Sequence, residues 1–374
     1  MNTTDVIQEK AKQTPSGPRE PALPGKPVVD PAYWTADELA ARDDWIHELS
    51  GDELSDLKVM ASGVRRRIGY DPNGLLETER DDFDLGAFAA TLERAKGILR
   101  DGLGLFLVRG FPVEAWDRLD CAIVYWGIGR HFGRARSNNP QGDMFGHIAD
   151  LGKDYGNPKH RGYQSNDTMD YHVDPCDVLT LLCLQTAKSG GQSKIVSSPA
   201  VHNEIVRRRP DLAAQLAKPF YKSRHGEEAP GEKPWSKAPL FQYADGYLSV
   251  SANQMYVEQG HALPGTPDLT EKQKEALGIL ADVSEELHFE TYMRPGDLPM
   301  FNSRANMHTR TAFEDWPEPE RRRHLWRLWL YAPYMRPRKP YFENWEKGVW
   351  VPGGAKKIVL NAWPDDPRAA VRAS

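Results

Sequence analysis

The stretch HFETYMRPGDLPMFNSRANMHTRTAFEDWPEPERRRHLWRLWLYA, residues 288–332, decides how this chain is to be read. It holds three strand candidates at short spacing: HFETY (288–292), LPMFN (298–302) and RRHLWRLWLYA (322–332). Turn residues, among them Pro295-Gly296, separate them, and no helical pattern intervenes. Upstream, VLTLLCLQTA (178–187) and KIVSS (194–198) flank a Ser189-Gly190-Gly191 turn, and FQYADGYLSVS (241–251) reads as a hairpin around Asp245-Gly246. GLFLVRG (104–110) is a short apolar run between glycines, a buried strand by its pattern. Many short strands without βαβ alternation point to an antiparallel sandwich or barrel.

Helical periodicity fills the rest. Thr35 with Glu38 forms a capping box before a helix expected to reach about Leu49. Further helices are expected from about Gly51, over 84–100, 115–132 and 199–217, and over 270–287. The polar stretch 134–170 is rich in Gly, Asn and Pro, and reads as a long functional loop. Prolines 15, 18, 21, 24, 27 and 31 recur among polar residues, which favours an extended arm with little to bury. The organisation expected is a proline-rich arm over 1–32 and a single domain over 33–374.

Composition narrows the function. Lys plus Arg total 48 against 53 Asp plus Glu, a formal charge of −5, which argues against a dedicated nucleic-acid binder. No apolar run is long enough to span a bilayer. The first residues, MNTTDVIQEKAKQ, carry acids early and lack an apolar core, so no signal peptide is expected. Three cysteines without a CxxC pair argue against a disulfide framework, and a reducing cytoplasm is the default compartment. Oligomeric state is not legible, and a homo-oligomer stays open.

Two constellations carry chemistry. In Tyr171-His172-Val173-Asp174, the period of two in a strand puts His172 and Asp174 on one face, with His308 a natural third ligand. Two histidines and one carboxylate leave coordination positions open, the pattern of non-haem Fe(II) oxygenases. An H-x-D pair alone arises often by chance. The second constellation is Arg323, Leu325, Arg327 and Trp329, which share a face if 323–330 is extended; His324 alternates away and should point outward. An inward arginine among apolar groups needs an anion partner, and a small-molecule carboxylate would serve.

Five segments then occur in order: GLFLVRGFP (104–112), RGYQSNDTMDYHVD (161–174), SGGQS (189–193), RPGDLPMFN (294–302) and MHTRTAFED…RRHLWRLW (307–329). Together they resemble the taurine-dioxygenase-like, clavaminate-synthase-like branch of the Fe(II)/2-oxoglutarate-dependent oxygenases. The resemblance implies a mainly β fold with α, a distorted double-stranded β-helix (jelly-roll) core with surrounding helices. It implies His172, Asp174 and His308 as catalytic iron ligands, and Arg323 as the grip on the distal carboxylate of 2-oxoglutarate. Ser193 would help hold that carboxylate, and Arg327 is a further candidate for the cosubstrate or an anionic substrate. The implied reaction uses O2 to convert 2-oxoglutarate to succinate and CO2 while an unactivated C–H bond of a small molecule is hydroxylated or desaturated. The retained Asp174 speaks against halogenation. Thr309 departs from the glycine common after the distal histidine.

Substrate contacts are the least legible. Asn138, Gln164, Asn166 and Tyr171 are candidates, each equally at home as an ordinary loop residue. The loop 224–235 suits a lid or a surface excursion, and Cys176 is read as packing. The alternatives from other classes are a zinc hydrolase on the same His-Asp-His set, which gives the arginine face no role, and a non-catalytic jelly-roll binding protein.

Overall fold

A computed structural model describes residues 18–154, 160–337, 349–363 and 366. Its main sheet has seven strands: β1 (Ile46–Glu48), β2 (Leu105–Arg109), β13 (Leu298–Asn302), β5 (Val178–Gln185), β16 (His324–Tyr331) and β3 (Arg134–Arg136) in that order, with β4 (Gly146–Ile148) also on β16. All pairings are antiparallel except the parallel β1–β2 edge. The smaller sheet is β12 (Phe289–Thr291), β7 (Ser193–Ser197) and β14 (Asn306–Arg310). Hairpins β8 (Pro219–Ser223)–β9 (Trp235–Pro239) and β10 (Phe241–Ala244)–β11 (Tyr247–Val250) and the short pair β6 (Ser189–Gly190)–β15 (Phe313–Glu314) complete the β structure. The two sheets make an open jelly-roll sandwich, and among the described residues the strands close no barrel.

The continuous apolar run of β5 is explained by its place between β13 and β16, with both faces covered. Its outer face lies under a helix formed by Arg118–Phe132. The Tyr125 hydroxyl from that helix donates to the Thr180 carbonyl at 2.8 Å. At Gly129 a Cβ would sit 2.8 Å from Leu328, so the glycine lets the helix lie close to β16. The main core gathers here, around Phe106, Leu179, Trp326 and Trp329. A second cluster, with Val201, Phe220, Leu240, Val250, Val257 and Leu277, fills the space behind the smaller sheet and the two hairpins.

Numbering helices in chain order, α1 is Ala36–Ala40, α2 Gly51–Ile68, α3 Phe88–Asp101, α4 Arg118–Phe132, α5 Ser198–Arg208, α6 Pro210–Leu216, α7 Gln254–His261 and α8 Glu271–Leu287. Three expectations are corrected. The Thr35–Glu38 capping box is present, but α1 stops at Ala40 instead of reaching Leu49. There the Trp45 indole donates back to the Leu39 and Arg42 carbonyls, and Ile46–Glu48 is drawn into parallel pairing with β2. The helix expected over 199–217 is broken at Pro210, which has no amide hydrogen to continue it. The stretch 134–170 is not all loop, since β3 and β4 lie within it and pair with β16. His308 lies in strand β14, which pairs with β7.

His324 does alternate away from the arginine face, but that side of the sheet is not solvent. Arg118 and Trp363 cover it, and the ring is fully buried, with Nε2 2.8 Å from His147 Nδ1. Burial, helped by the charge of Arg118, pushes His147 down to about 4 from its ordinary 6.5. The folded state therefore takes up this proton less readily than the unfolded chain, and stability falls as pH drops from about 6.5 towards about 4. The expected result is a loss on the order of a few kcal/mol in urea unfolding across that interval. The loss should be smaller in His147→Asn, and an identical pH dependence in the variant would refute the assignment.

The described part of the proline-rich arm has more to bury than its composition implies. Ala22, Val28 and Ala32 are buried, Asn203 holds both backbone groups of Val28, and Asp30 pairs with Arg336. Residues 1–17 lie outside the described residues.

Candidate metal centre and substrate cavity

The segment 172–174 is wedged between β14 and the chain leading into α7. His172 and His308 exchange both backbone hydrogen bonds at 3.0 Å, and Val173 N donates to the Ala252 carbonyl. A directly opposed antiparallel pair projects its side chains to the same side, so the two imidazoles come within 4.4 Å between ring centroids. Phe301 of β13 stacks on His308, so the main sheet closes over the smaller one at this point.

Ligand atoms of His172, Asp174 and His308 all lie within 4.8 Å of one another. His172 Nδ1 donates to the Asp170 carbonyl at 2.8 Å, which leaves Nε2 as the nitrogen with a free lone pair. The two oxygens of Asp174 are divided in use. Oδ1 accepts from the Trp329 indole at 2.8 Å and from Arg327 at 3.1 Å. Oδ2 is buried with no hydrogen-bond partner, 3.4 Å from His308 Nε2. Burial alone would raise the Asp174 carboxyl, but Arg327 with His308 and His172 holds it below the usual carboxylate range. Burial and the neighbouring His308 bring His172 down to about 4. Neutral imidazole and ionised carboxylate, with one orphaned oxygen, are the donor forms a divalent cation requires, so these residues fit a metal.

The site opens onto a cavity of about 210 Å³. Its walls come from Arg161 and Tyr163, from Lys222, Arg224, His225 and Glu227 at the end of β8 and the loop after it, from Ser251–Tyr256, and from Arg327 and Trp329 of β16. Arg161 and Glu227 face each other in a two-pronged ion pair that ties the segment 160–164 to the loop 224–235.

Arg327 and Trp329 share a face, as period two requires, and both reach Asp174. A register shift separates His324 from Leu325, and Arg323 opens onto a different cavity of about 250 Å³ with Gly190, Gly191, Cys183 and Tyr292. Arg323 is 5% exposed, its Nη1 has no hydrogen-bond partner, and among the described residues no carboxylate is in ion-pair range of it. Burial lowers its hold on its proton. A guanidinium in that condition is a ready site for a ligand carboxylate. Ser193 sits on β7 opposite Arg310 and Thr291, and is among the lining residues of neither cavity.

The four substrate candidates are placed elsewhere than the cavity wall. Asn138 is buried behind Arg327 and accepts from its Nε at 2.9 Å. Gln164 closes its own turn against Arg161 N, and Asn166 is exposed and pairs through its carbonyl with Phe313 N. Tyr171 alternates away from His172 and donates to Glu285 at 2.8 Å. Sequence reasoning passed over Arg161, Tyr163, Lys222 and Tyr256. The inward phase of PFYKS (219–223) was the available signal for Lys222. Cys176 packs as expected, with Sγ 3.3 Å from Ser303 Oγ.

The family described as "Taurine catabolism dioxygenase TauD, TfdA family" matches residues 69–329, and the two histidines and the carboxylate fall inside that span. The chain belongs to the TauD/TfdA family. It is an oxidoreductase of the Fe(II)/2-oxoglutarate-dependent class, and the zinc-hydrolase and non-catalytic alternatives are not favoured. A relative, FR-33289 synthase of Streptomyces rubellomurinus, is 30% identical over 321 residues, covering 82% of this chain and 90% of the relative. The taurine hydroxylase-like protein SAT17 of Stachybotrys chartarum is 26% identical over 319 residues, covering 82% and 80%. Among solved structures, asparagine oxygenase with Fe(II), 3-hydroxyasparagine and succinate has a TM-score of 0.60 at 15% identity, covering 78% of this chain and 97% of that one. The non-heme iron oxygenase OrfP with Fe and alpha-ketoglutaric acid gives 0.57 at 14%, covering 77% and 94%. These likenesses bear out the TauD/TfdA jelly-roll fold. Among the described residues no helix is long and apolar enough to cross a membrane.

Proposed function

We propose that this enzyme hydroxylates or desaturates an unactivated C–H bond of a small molecule held in the 210 Å³ cavity, with His172, Asp174 and His308 as the iron ligands. The observation that carries the reading is the divided Asp174 carboxylate, one oxygen fixed by Arg327 and Trp329 and the other left facing the imidazoles. When bound, Fe(II) with 2-oxoglutarate supplies the oxidising power, taken from O2 as 2-oxoglutarate becomes succinate and CO2. The protein's own part is positional. Arg327 and Trp329 hold the carboxylate in one orientation, and the Asp170 carbonyl fixes the tautomer of His172. Arg323, which has no carboxylate partner among the described residues, would receive the distal carboxylate of 2-oxoglutarate, with Ser193 of β7 as its helper. Tyr163, Val173 and Trp329 line the cavity with apolar surface and limit water around the reacting carbon. Asparagine and arginine derivatives named with the structural neighbours support a small-molecule substrate of that size.

Three buried free cysteines support a reducing, cytoplasmic setting. Anaerobic addition of Fe(II) and 2-oxoglutarate should produce a weak visible charge-transfer band, lost in His172→Ala. No band, or a band that survives that substitution, would sink the proposal.

A further inference from the structure

One wall of the cavity holds a charge that the chemistry above does not use. Lys222 stands at an inward position of β8, where alternation buries Phe220 and Lys222 and leaves Tyr221 and Ser223 partly open. Lysine is seldom buried this far without a counter-charge, yet Lys222 is 9% exposed. Its ammonium donates to the Ser251 carbonyl and, at 2.6 Å, to Ser251 Oγ; no carboxylate among the described residues is in ion-pair range. The third N–H is left over. Burial, with no opposing charge, brings the amine down to about 7.

The other cations of the cavity are matched. Arg161 pairs with Glu227, Arg224 with Glu232, and Arg327 with Asp174. The position is also built to close tolerance. At Gly260 of α7 a Cβ would lie 2.5 Å from the Tyr221 carbonyl oxygen and 2.7 Å from the Lys222 Cα. Only glycine lets α7 press so close to the strand that carries the lysine. The Tyr221 amide donates to His261 Nε2 on the same helix. Ser251, which anchors the ammonium, lies two residues before Asn253, the bridge partner of His172.

We propose that Lys222 and Ser251 form the subsite that receives an oxyanion of the primary substrate, a carboxylate, phosphonate or sulfonate. An uncompensated ammonium in a cavity wall costs folding energy, and a ligand anion returns it on binding. The subsite rests on the reading of this cavity as the substrate site. It names the substrate class: an anion whose charged end sits at β8 and whose C–H bond lies towards the metal centre.

Calorimetric titration of the anaerobic enzyme with Fe(II) and 2-oxoglutarate tests it, using acetate, methylphosphonate and methanesulfonate against acetamide and dimethyl sulfone. At least one anion should bind, the neutral compounds should not, and Lys222→Met should weaken the anion tenfold or more. The charge-transfer band should be unchanged in that variant. Lys222→Gln should behave in the same way, which covers a failure of the methionine variant to fold. Failure of all three anions to bind the parent, or equal affinity in the variants, overturns the subsite. A missing band with Lys222-dependent anion binding would instead remove the iron reading and leave this one standing.

Discussion

Replacing Asp174 by alanine is expected to abolish Fe(II) binding and to destabilise the metal-free protein by about 3–5 kcal/mol. The two effects come from the two oxygens. Oδ2 is the orphaned donor between the imidazoles, so its loss removes the only anionic ligand of the set. Oδ1 is the partner of Arg327, whose side chain is 5% exposed, and of the Trp329 indole. Without it a guanidinium stays buried with, among the described residues, only Asn138 Oδ1 as acceptor, and its Nη2 already lacks one. Asp174→Asn keeps an acceptor for both neighbours and should recover much of the stability without recovering metal affinity. Anaerobic iron titration and urea unfolding measure the two separately. Iron affinity unchanged in Asp174→Ala would discard Asp174 as a ligand.

The second large effect has the opposite stability signature. Arg323→Ala should weaken 2-oxoglutarate by on the order of 100-fold, equivalent to about 3 kcal/mol, while iron binding stays intact. Metal-free and ligand-free, the variant should be no less stable than the parent, because it removes a buried charge that has no carboxylate partner. The midpoint of the charge-transfer band against 2-oxoglutarate concentration reads the affinity, and thermal unfolding reads the stability. An affinity that hardly moves would transfer the role to Arg327.

The pair His172 and Asp174 was legible because its spacing is local, whereas His308, far downstream, was named through the family resemblance. Two residues of a strand-like segment share a face at any period-two geometry, and β14 lies within the ordered run that decided the fold. The antiparallel sandwich-or-barrel class was legible from strand after strand at short spacing without crossover helices, and the family resemblance narrowed it to the jelly-roll. Less could be read where structure depends on distant pairing. Ile46–Glu48 is three residues with no period of its own, and only β2 makes it a strand. The cavity wall is assembled from segments near 161, 222 and 253, far apart in sequence, so its lining could not be inferred from the motif's neighbours. Asn138 was drawn to attention by its place in a polar loop and Tyr171 by its nearness to His172, but one stands behind Arg327 and the other faces Glu285.

The two hydrophobic clusters divide the labour of the molecule. Strand β16, which bears Arg327 and directly follows Arg323, is rooted in the first cluster, with Trp326 and Trp329. The hairpin β8–β9 and helix α7, which carry Lys222 and Tyr256, are rooted in the second, with Phe220 and Val257. Val173 packs into the second cluster and Cys176 into the first, so the metal segment is the seam between them. An engineer seeking a new substrate would thus rewrite residues 222–227 and 251–256 on one foundation while the oxidising apparatus keeps the other. Duplicated copies of such a gene could drift in what they accept long before they drift in what they do to it.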